Sequence, residues 1–448
     1  MTPLGERDFS VGSVKRQIIA QAVPLTVAQV VQLLYNVVDR VYIGHLKDVG
    51  DVALTGLGVT FPVIVIIAAF TSLFGNGGTA LFSIARGRRD QEEAENILGN
   101  AFALLALFSA VLFGVCFCFR RSILLLFGAS DLSVEYADQY LQIYLFGTLF
   151  SMLSTGLNGY INAQGFPKTG MLTTILGAAV NILLDPLFIF VFGMGVRGAA
   201  LATVISQGIS AAWVLRFLTG KKAVLRIKLS KIRIQAQRTR AIMAIGLPGF
   251  VMQGTNSLVQ IVCNVQLQAY GGDLYVGIMT VLNSVREILS LPVMGITNGA
   301  QPVLGFNYGA QKNGRVKEGI RFSAVLGFLY TLFAWIVVML IPKQLMGVFS
   351  NDQNIVETGA EMLNIYFFGF VFMAFQFVGQ TAFQSLGRAR YAVFFSLFRK
   401  AMIVVPLTLL LPAVGFGVPG VFLAEPISNA IGGLACFLTM WRVIYRRL

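Results

Sequence analysis

Long apolar runs follow one another along almost the whole chain, and they constrain its fold more than any other feature. A helix needs about 20 apolar residues to span a bilayer, and twelve runs of about that length or more are separated by charged residues, Gly and Pro. Only 12% of the residues are charged, whereas a soluble domain carries about 25%. The sequence therefore predicts an all-α membrane protein and not a soluble enzyme. The predicted spans lie near residues 18–44, 53–84, 97–119, 136–164, 171–193, 198–218, 241–270, 274–307, 320–341, 358–386, 391–413 and 418–440.

The distribution of positive charge predicts the orientation of these spans. With a cytoplasmic N-terminus, 24 of the 34 Lys and Arg residues fall in cytoplasmic segments and five in outside segments. Cytoplasmic loops normally hold this excess, so both termini are expected in the cytoplasm. The basic run KKAVLRIKLSKIRIQAQRTR at 221–240 is expected to lie on anionic lipid headgroups of the bilayer, and not on nucleic acid.

The chain repeats itself at an offset of 222 residues, from Asp51 to beyond Ser206. The segment GMGVRGAALATVIS aligns with GFGVPGVFLAEPIS, and Pro24 matches Pro248 when the offset grows by two. Each half contains six predicted spans, and an even number makes the two halves parallel repeats, an arrangement that suits alternating access. The predicted domains are an N-terminal lobe at 1–219, a basic linker at 220–240 and a C-terminal lobe at 241–448.

Three segments of the chain show a resemblance to a known family. They are VPLTVAQVVQLLYNVVDRVYIG in the first span, NILLDPLFI in the fifth, and GAQPVLGFNYGAQ after the eighth. With the two six-helix lobes, they resemble the multidrug and toxic compound extrusion (MATE) family. This resemblance implies a V-shaped twelve-helix transporter that exports cationic or amphipathic organic compounds in exchange for protons or sodium ions. Within the family, the chain is similar to prokaryotic members that keep their carboxylates in the N-terminal lobe. This similarity implies a location in the plasma or inner membrane of a bacterial or archaeal cell.

Acidic residues inside the predicted spans are candidates for function, because an ionised side chain costs about 2.5–3.5 kcal/mol at the bilayer centre. There are four: Asp39, Asp185, Glu287 and Glu425. At about 1.5 Å per residue, Asp39, Asp185 and Thr203 share a depth roughly 7–12 Å from the outer ends of their helices. Asn181 lies one turn before Asp185, on the same face. The resemblance also assigns Asp39, Asn181, Asp185 and Thr203 to the cation site of the N-terminal lobe.

Two acids, an amide and a hydroxyl would form an oxygen cluster for a proton or a sodium ion. Two nearby acids in a low dielectric cannot both stay ionised cheaply, so a proton becomes a usable ligand. Its binding could repack the first helix around Pro24, where a backbone hydrogen bond is missing. Two structural alternatives are that Asp39 pairs with Arg40 at the membrane edge and that Asp185, before Pro186, only marks a kink.

The second half does not copy this site. Asp185 aligns with Leu407, Asn181 with Ile403, and Asp39 with about Cys263, whereas Thr203 aligns with Glu425. Arg286 and Glu287 are adjacent in the eighth span, and they form either a structural ion-pair network or a substrate site.

The substrate cavity is expected to be lined by aromatic and amide side chains, whose rings suit organic cations. The candidates are Tyr35, Asn36, Tyr140, Tyr144, Asn158 and Gln164, with Glu287 and Glu425 from the second half. The substrates are then small organic cations, and a monomer is expected. No cofactor is expected, and no metal beyond a sodium ion at the acids, because the four Cys lie in apolar runs and His45 is the single histidine.

Other functions fit the sequence less well. A lipid-linked or metabolite flippase of the same superfamily is the main alternative, but fourteen spans or an arginine-rich cavity would be expected for it. A membrane-embedded enzyme would need clustered His, Asp and Glu or a Ser-Lys pair. A primary pump would need a G-x-x-x-x-G-K-[ST] loop, which the sequence lacks. A channel would place its acids around an axis and not in one lobe.

Overall fold

The computed structural model describes residues 8–44, 46, 50–127, 133–349 and 352–448, with only the backbone at residues 40, 44 and 50–55. His45 and the side chain of Arg40 lie outside the described residues. Every regular element in the described part is a helix, with short 3₁₀ or π-helical segments among the α-helices and irregular connections between them. The first half contains α1 (Val14–Gly44), α2 (Gly50–Gly87), α3 (Gln91–Leu126), α4 (Ser133–Tyr144), α5 (Thr148–Ala163), α6 (Pro167–Pro186) and α7 (Val196–Thr219).

The second half of the chain contains nine α-helices. They are α8 (Ala236–Gly271), α9 (Asp273–Gly309), α10 (Asn313–Leu340), α11 (Pro342–Gly347), α12 (Gln353–Phe367), α13 (Met373–Ser385), α14 (Ala389–Leu397), α15 (Val405–Leu411) and α16 (Gly417–Met440). A π-helical segment, Phe398–Val404, joins α14 to α15. Another π-helical segment, Leu187–Val191, follows α6 after Pro186.

The helices account for the predicted number of spans. Among the described residues, nine helical stretches are long and apolar enough to cross a bilayer, and α12 with α13, bent by 43°, makes a tenth. One of the nine, Ala389–Tyr445, has 57 residues, more than twice the length that a span needs. The chain reverses within it at Gly415 (φ 104°) and Gly417 (φ 54°), which makes it two spans. The pair α4 and α5, interrupted at Leu145–Gly147, corresponds to α12 and α13. The twelve-span, all-α prediction is confirmed.

The internal repeat is visible in the backbone as well as in the sequence. Every left-handed residue between α2 and α7 has a left-handed partner 222 positions later in the described chain. The pairs are Arg89 (φ 61°) and Gln311 (φ 57°), Gly165 (86°) and Gly387 (73°), Gly193 (64°) and Gly415 (104°), and Gly195 (56°) and Gly417 (54°). Because two of these residues carry a side chain, which disfavours positive φ, the shared conformation reflects a shared fold of the two halves.

The helices pack into two compact units whose boundaries fall inside helices. The N-terminal unit contains Val27–Phe250, and the C-terminal unit contains Phe9–Thr26 and Val251–Leu448. The first part of α1 therefore packs with the second half of the chain, and the first part of α8 packs with the first half. Each change of unit falls two residues after a proline, Pro24 in α1 and Pro248 in α8. These limits differ from the sequence-predicted lobe boundary at 220–240.

Small residues allow the first parts of α1 and α8 to pack closely against the helices of their units. In the N-terminal unit, a Cβ added at Gly77 of α2 would lie 2.7 Å from the backbone nitrogen of Gly246 in α8. In the C-terminal unit, a Cβ at Gly299 of α9 would lie 2.6 Å from the backbone nitrogen of Ala22 in α1. Gly77 and Gly299 are repeat equivalents. The same close backbone approach, which only small residues allow, therefore occurs in both units.

The basic linker is tied to the N-terminal unit by ion pairs. Lys228 Nζ lies 2.7 Å from Glu95 Oε2, and Lys231 Nζ lies 2.7 Å from Glu92 Oε1. Arg238, at the start of α8, donates to both carboxylate oxygens of Glu93. These three bases are paired with protein carboxylates at the start of α3, and the expectation that the run lies on lipid headgroups stays a prediction.

Candidate cation site

The acids of the first half meet inside the N-terminal unit. Asp39 lies in the second part of α1, Asn181 and Asp185 lie one turn apart near the end of α6, and Thr203 lies in α7. Asn181 and Asp185 are fully buried, and Asn181 Nδ2 donates to Asp185 Oδ1 over 3.2 Å. The spacing of four residues brings both side chains to one helical face. The structure thus places together the four residues that the sequence proposed for the cation site.

The carboxyl groups of Asp39 and Asp185 lie close enough to interact directly. An ionised carboxylate only accepts hydrogen bonds, so two ionised groups at this distance repel. The approach is favourable only when a proton or a cation lies between them. We call Asp39 and Asp185 the acid pair. Its geometry is one that a proton or a hard cation stabilises.

Further oxygen atoms around the acid pair could bind a cation. Asn181 Oδ1 and Asp185 Oδ2 are buried and have no hydrogen-bond partner among the described residues. Buried acceptors normally have a partner, so these two oxygens are suited to a ligand. Thr203 Oγ1 donates to the carbonyl oxygen of Ala199 over 3.0 Å and keeps acceptor capacity. Carboxylate, amide and hydroxyl oxygens are the donor atoms that hard cations prefer.

Tyr35 and Tyr140 lie near the acid pair, and Tyr144 lies next to both tyrosines. Tyr140 and Tyr144 of α4 are buried and stacked, with ring centroids 5.6 Å apart. The Tyr140 hydroxyl faces Thr203, and half-buried Tyr35 lies beside Tyr144 and both acids. Asn36, the next residue of α1, is exposed. Aromatic faces beside a carboxylate attract organic cations, so this group could contact a cationic substrate as well as a coupling ion.

Two residues predicted for the cavity have other roles. Asn158 donates to the carbonyl of Gly170 over 3.1 Å and accepts from Thr173, which joins α5 to α6. Gln164 is fully buried, and its Oε1 accepts the backbone N–H of Leu225 in the linker over 2.9 Å. Their amides therefore hold helices and linker together, and Gln164 is not exposed to a cavity.

The charged residues of the second half form a separate cluster in the C-terminal unit. Glu425 of α16 is buried, and its Oε1 accepts from Arg286 (2.7 Å), Arg399 (3.0 Å) and Lys400 (3.1 Å). Arg286 thus pairs with Glu425 and not with its neighbour Glu287, which is exposed. We call Arg286, Arg399, Lys400 and Glu425 the basic cluster.

Sequence reasoning missed two members of this cluster. Arg399 and Lys400 lie in the middle of the eleventh predicted span, and their side chains are 11% and 4% exposed. Two adjacent bases inside an apolar run were a visible signal, because intramembrane bases are as costly as intramembrane acids.

Two six-span repeats, with intramembrane acids in one unit and intramembrane bases around an acid in the other, are typical of a polytopic membrane transporter. The MatE family model matches the chain twice, at residues 24–187 and 248–410. These matches cover more than half of the chain and fall one on each repeat. The chain belongs to the multidrug and toxic compound extrusion (MATE) family, as its sequence motifs predict.

Known relatives match along nearly the whole chain. The multidrug export protein MepA of Staphylococcus aureus is 25% identical over 423 residues, 94% of this chain and 92% of the relative. MepA of Staphylococcus saprophyticus is 24% identical over 436 residues, 97% of this chain and 95% of the relative. One similar solved structure is described as the outward-facing conformation of a multidrug resistance MATE family transporter. Its TM-score is 0.92 at 24% sequence identity, and the match covers 100% of this chain and 99% of that chain.

Proposed function

We propose that the protein exports cationic or amphipathic organic compounds by antiport with protons or sodium ions, and that the acid pair binds the coupling ion. The observation that carries this proposal is the close approach of the Asp39 and Asp185 carboxyl groups inside an apolar helical unit. Such an approach favours a bound proton or cation. An intramembrane acid is a functional candidate by default.

The coupling would arise from competition for one charged site. When a proton or sodium ion occupies the acid pair, its negative charge is reduced and the attraction for a cationic substrate falls. When the ion leaves, the carboxylates and the faces of Tyr140 and Tyr144 can hold an organic cation. A ligand shifts a conformational equilibrium only through its different affinities for the two states, so ion and substrate would favour different states.

The first helix is a candidate for transmitting this change. Asp39 lies in the part of α1 that packs in the N-terminal unit, whereas the part before Pro24 packs in the C-terminal unit. Pro24 has no N–H to donate to the preceding turn, so α1 bends there at low cost. We propose that ion binding at Asp39 changes the bend at Pro24.

The membrane location, the oligomeric state and the partners of the protein are also part of the proposal. The curated MepA relatives are multidrug export proteins of bacteria, which supports small-molecule substrates and a cell membrane location. The charge distribution supports cytoplasmic termini, and we propose that a monomer is the functional unit, without a cofactor or nucleic acid partner.

The test is transport in proteoliposomes with an imposed proton or sodium gradient, applied separately. Ethidium movement is compared for wild type, Asp39→Asn, Asp185→Asn and the control Asp273→Asn, whose side chain is exposed at the start of α9. One gradient is expected to drive ethidium in wild type and in the control, and both acid-pair variants should lose at least 90% of the rate (about tenfold). Equal transport by Asp39→Asn and wild type would refute the coupling role. No movement with either gradient would favour a lipid-linked or metabolite substrate.

A further inference from the structure

The C-terminal unit contains a cavity at the repeat position of the cation site. The cavity has a volume of about 130 Å³, and its lining includes Cys263, Arg286, Tyr366, Lys400 and Glu425. Cys263 is the repeat equivalent of Asp39, Tyr366 that of Tyr144, and Glu425 that of Thr203. We call this cavity the basic pocket. It is therefore the counterpart of the cation site, built by the same fold with different side chains.

The charge of the basic pocket is opposite to that of the cation site. Three bases surround one acid, so the basic cluster has a formal net charge of +2. The repeat equivalents of Arg286, Arg399 and Lys400 are the uncharged Ile64, Gly177 and Ala178. A cluster with a purely structural role would balance its buried charges, because each uncompensated one is costly. The excess of positive charge points to a missing anion.

The bases have hydrogen-bonding capacity that the protein does not use. Among the described residues, the Arg286 guanidinium donates one hydrogen bond, from Nη1 to Glu425, and its side chain is 27% exposed. A guanidinium has five N–H donors in a planar fork. The ring of Tyr366 lies 5.8 Å from its central carbon and backs it on one side. Arg286 can thus present its remaining donors to a ligand.

The polar side chains beside the bases are already bonded to one another. The Tyr366 hydroxyl donates to Asn283 over 3.0 Å, Asn283 donates to Gln260 over 3.0 Å, and Gln260 donates to Asn264 over 3.0 Å. These hydrogen bonds fix the side chains on this side of the pocket. The bases are then the main donors left for a ligand. The ligand that matches free guanidinium and ammonium donors is an oxyanion.

We propose that the basic pocket binds a carboxylate or phosphate group, so that the transporter accepts amphipathic compounds that carry an acidic group, including zwitterions. Arg286 contacts the oxyanion directly, with Lys400 beside it. Glu425 competes with the oxyanion for both bases, and Arg399 helps to hold Glu425. This oxyanion-binding proposal extends the proposed export function, and its physiological meaning rests on that function. The binding site itself can be tested without transport.

The probes are rhodamine B, which has a free carboxylate, and its ethyl ester, which has the same cationic ring system without the acid. Binding to purified protein in a neutral detergent is measured by fluorescence anisotropy. Wild type is expected to bind rhodamine B about tenfold more tightly than the ester, since a charge-assisted hydrogen bond is lost with the ester. Arg286→Gln should bring the ratio close to one at unchanged ester affinity. Arg321→Gln, an exposed base of α10, is the matched control and should keep the wild-type ratio.

Two outcomes would overturn the proposal: equal binding of the two dyes by wild type, or an equal loss of both dyes in Arg286→Gln and Arg321→Gln. Phosphatidylglycerol is added as a competitor. If it removes the rhodamine B preference of wild type, the oxyanion can be a lipid headgroup; if it does not, the site is selective for the small carboxylate. Both results support an oxyanion site.

A second variant keeps the proposal testable if Arg286→Gln does not fold. Glu425→Gln removes the acid that competes with the ligand, so it should bind rhodamine B more tightly than wild type and gain more thermal stability from inorganic phosphate. Weaker binding by a folded Glu425→Gln protein would contradict the proposal. Because these assays involve no gradient, a failure of the coupling role of Asp39 would leave them interpretable.

Discussion

At the scale of single residues, the candidate cation site depends on buried oxygen atoms that are available to bind a ligand. Asp185 and Asn181 are fully buried, and each keeps an oxygen without a hydrogen-bond partner among the described residues. In water such oxygens would be solvated, but inside a helical unit they need another partner, and an ion or a substrate can be that partner. Asn181 both donates to Asp185 and offers its own oxygen, so it should tune the affinity for the coupling ion.

Asn181→Ala removes that donor and that oxygen together. We expect the ion concentration at half-maximal transport to shift about tenfold, while the maximum rate is largely kept. The measurement is the ion dependence of ethidium transport in proteoliposomes. Asn158→Ala is the matched control, because the Asn158 amide joins α5 to α6 and is not part of the acid pair. An equal shift in both variants would show that the effect is structural.

The residues of the cation site could be predicted because charge stands out in an apolar sequence. Asp39 and Asp185 were visible as intramembrane acids, and the spacing of four residues linked Asn181 to Asp185. The ion-pair partners in the second half could not be predicted from the sequence. Arg286 is adjacent to Glu287 in sequence but bonds to Glu425, 139 residues away, since neighbours along a helix point about 100° apart.

At the scale of helices, the main finding is the exchange of the first parts of α1 and α8 between the two units. Hydropathy predicts that each helix spans the membrane but contains no information about which unit it joins. The breaks at Leu145–Gly147 and Phe370–Phe372 were also missed, because both lie inside continuous apolar runs. What sequence does show is the pair of prolines, which precede both unit boundaries by two residues.

Gly246→Ala tests the close approach of α2 and α8. The added Cβ would lie 2.9 Å from Leu73 Cα, and overpacking of this kind costs about 1–3 kcal/mol. The thermal unfolding midpoint of the purified protein should therefore fall. Gly114→Ala in α3, where a Cβ would meet no atom within 4 Å, should unfold at or slightly above the wild-type temperature, because Ala favours helix over Gly. Equal stability of the two variants would contradict the packing described for α8.

At the scale of the whole molecule, one fold is used twice with opposite charge. Backbone conformations at 222-residue intervals show that the halves share their structure, yet the first half has two acids in its candidate site, and the second half has three bases around one acid, at positions that are not equivalent. Repeats in transporters suit alternating access, and different side chains on the same frame allow the two units to bind different groups. The function therefore resides in the side chains, and the fold provides their positions.

The orientation of the molecule is a further prediction at this scale. The excess of Lys and Arg in alternate loops predicts that both termini lie in the cytoplasm. A green fluorescent protein fused after Leu448 should fluoresce, whereas alkaline phosphatase at the same point should be inactive. The reverse pattern would contradict the assigned orientation. As an internal control, both reporters are placed in the linker at 221–224, which is expected on the same side.

The measurement that tests the central claim most directly is release of the coupling ion when substrate binds. Ethidium is added to purified protein in weakly buffered detergent solution, and released protons are recorded with a pH indicator, or displaced ²²Na⁺ by filtration. If the acid pair holds the ion in competition with substrate, ethidium should release about one ion per protein from wild type and none from Asp39→Asn or Asp185→Asn. Release of neither ion from a wild-type protein that binds ethidium, or equal release from the acid-pair variants, would contradict the account.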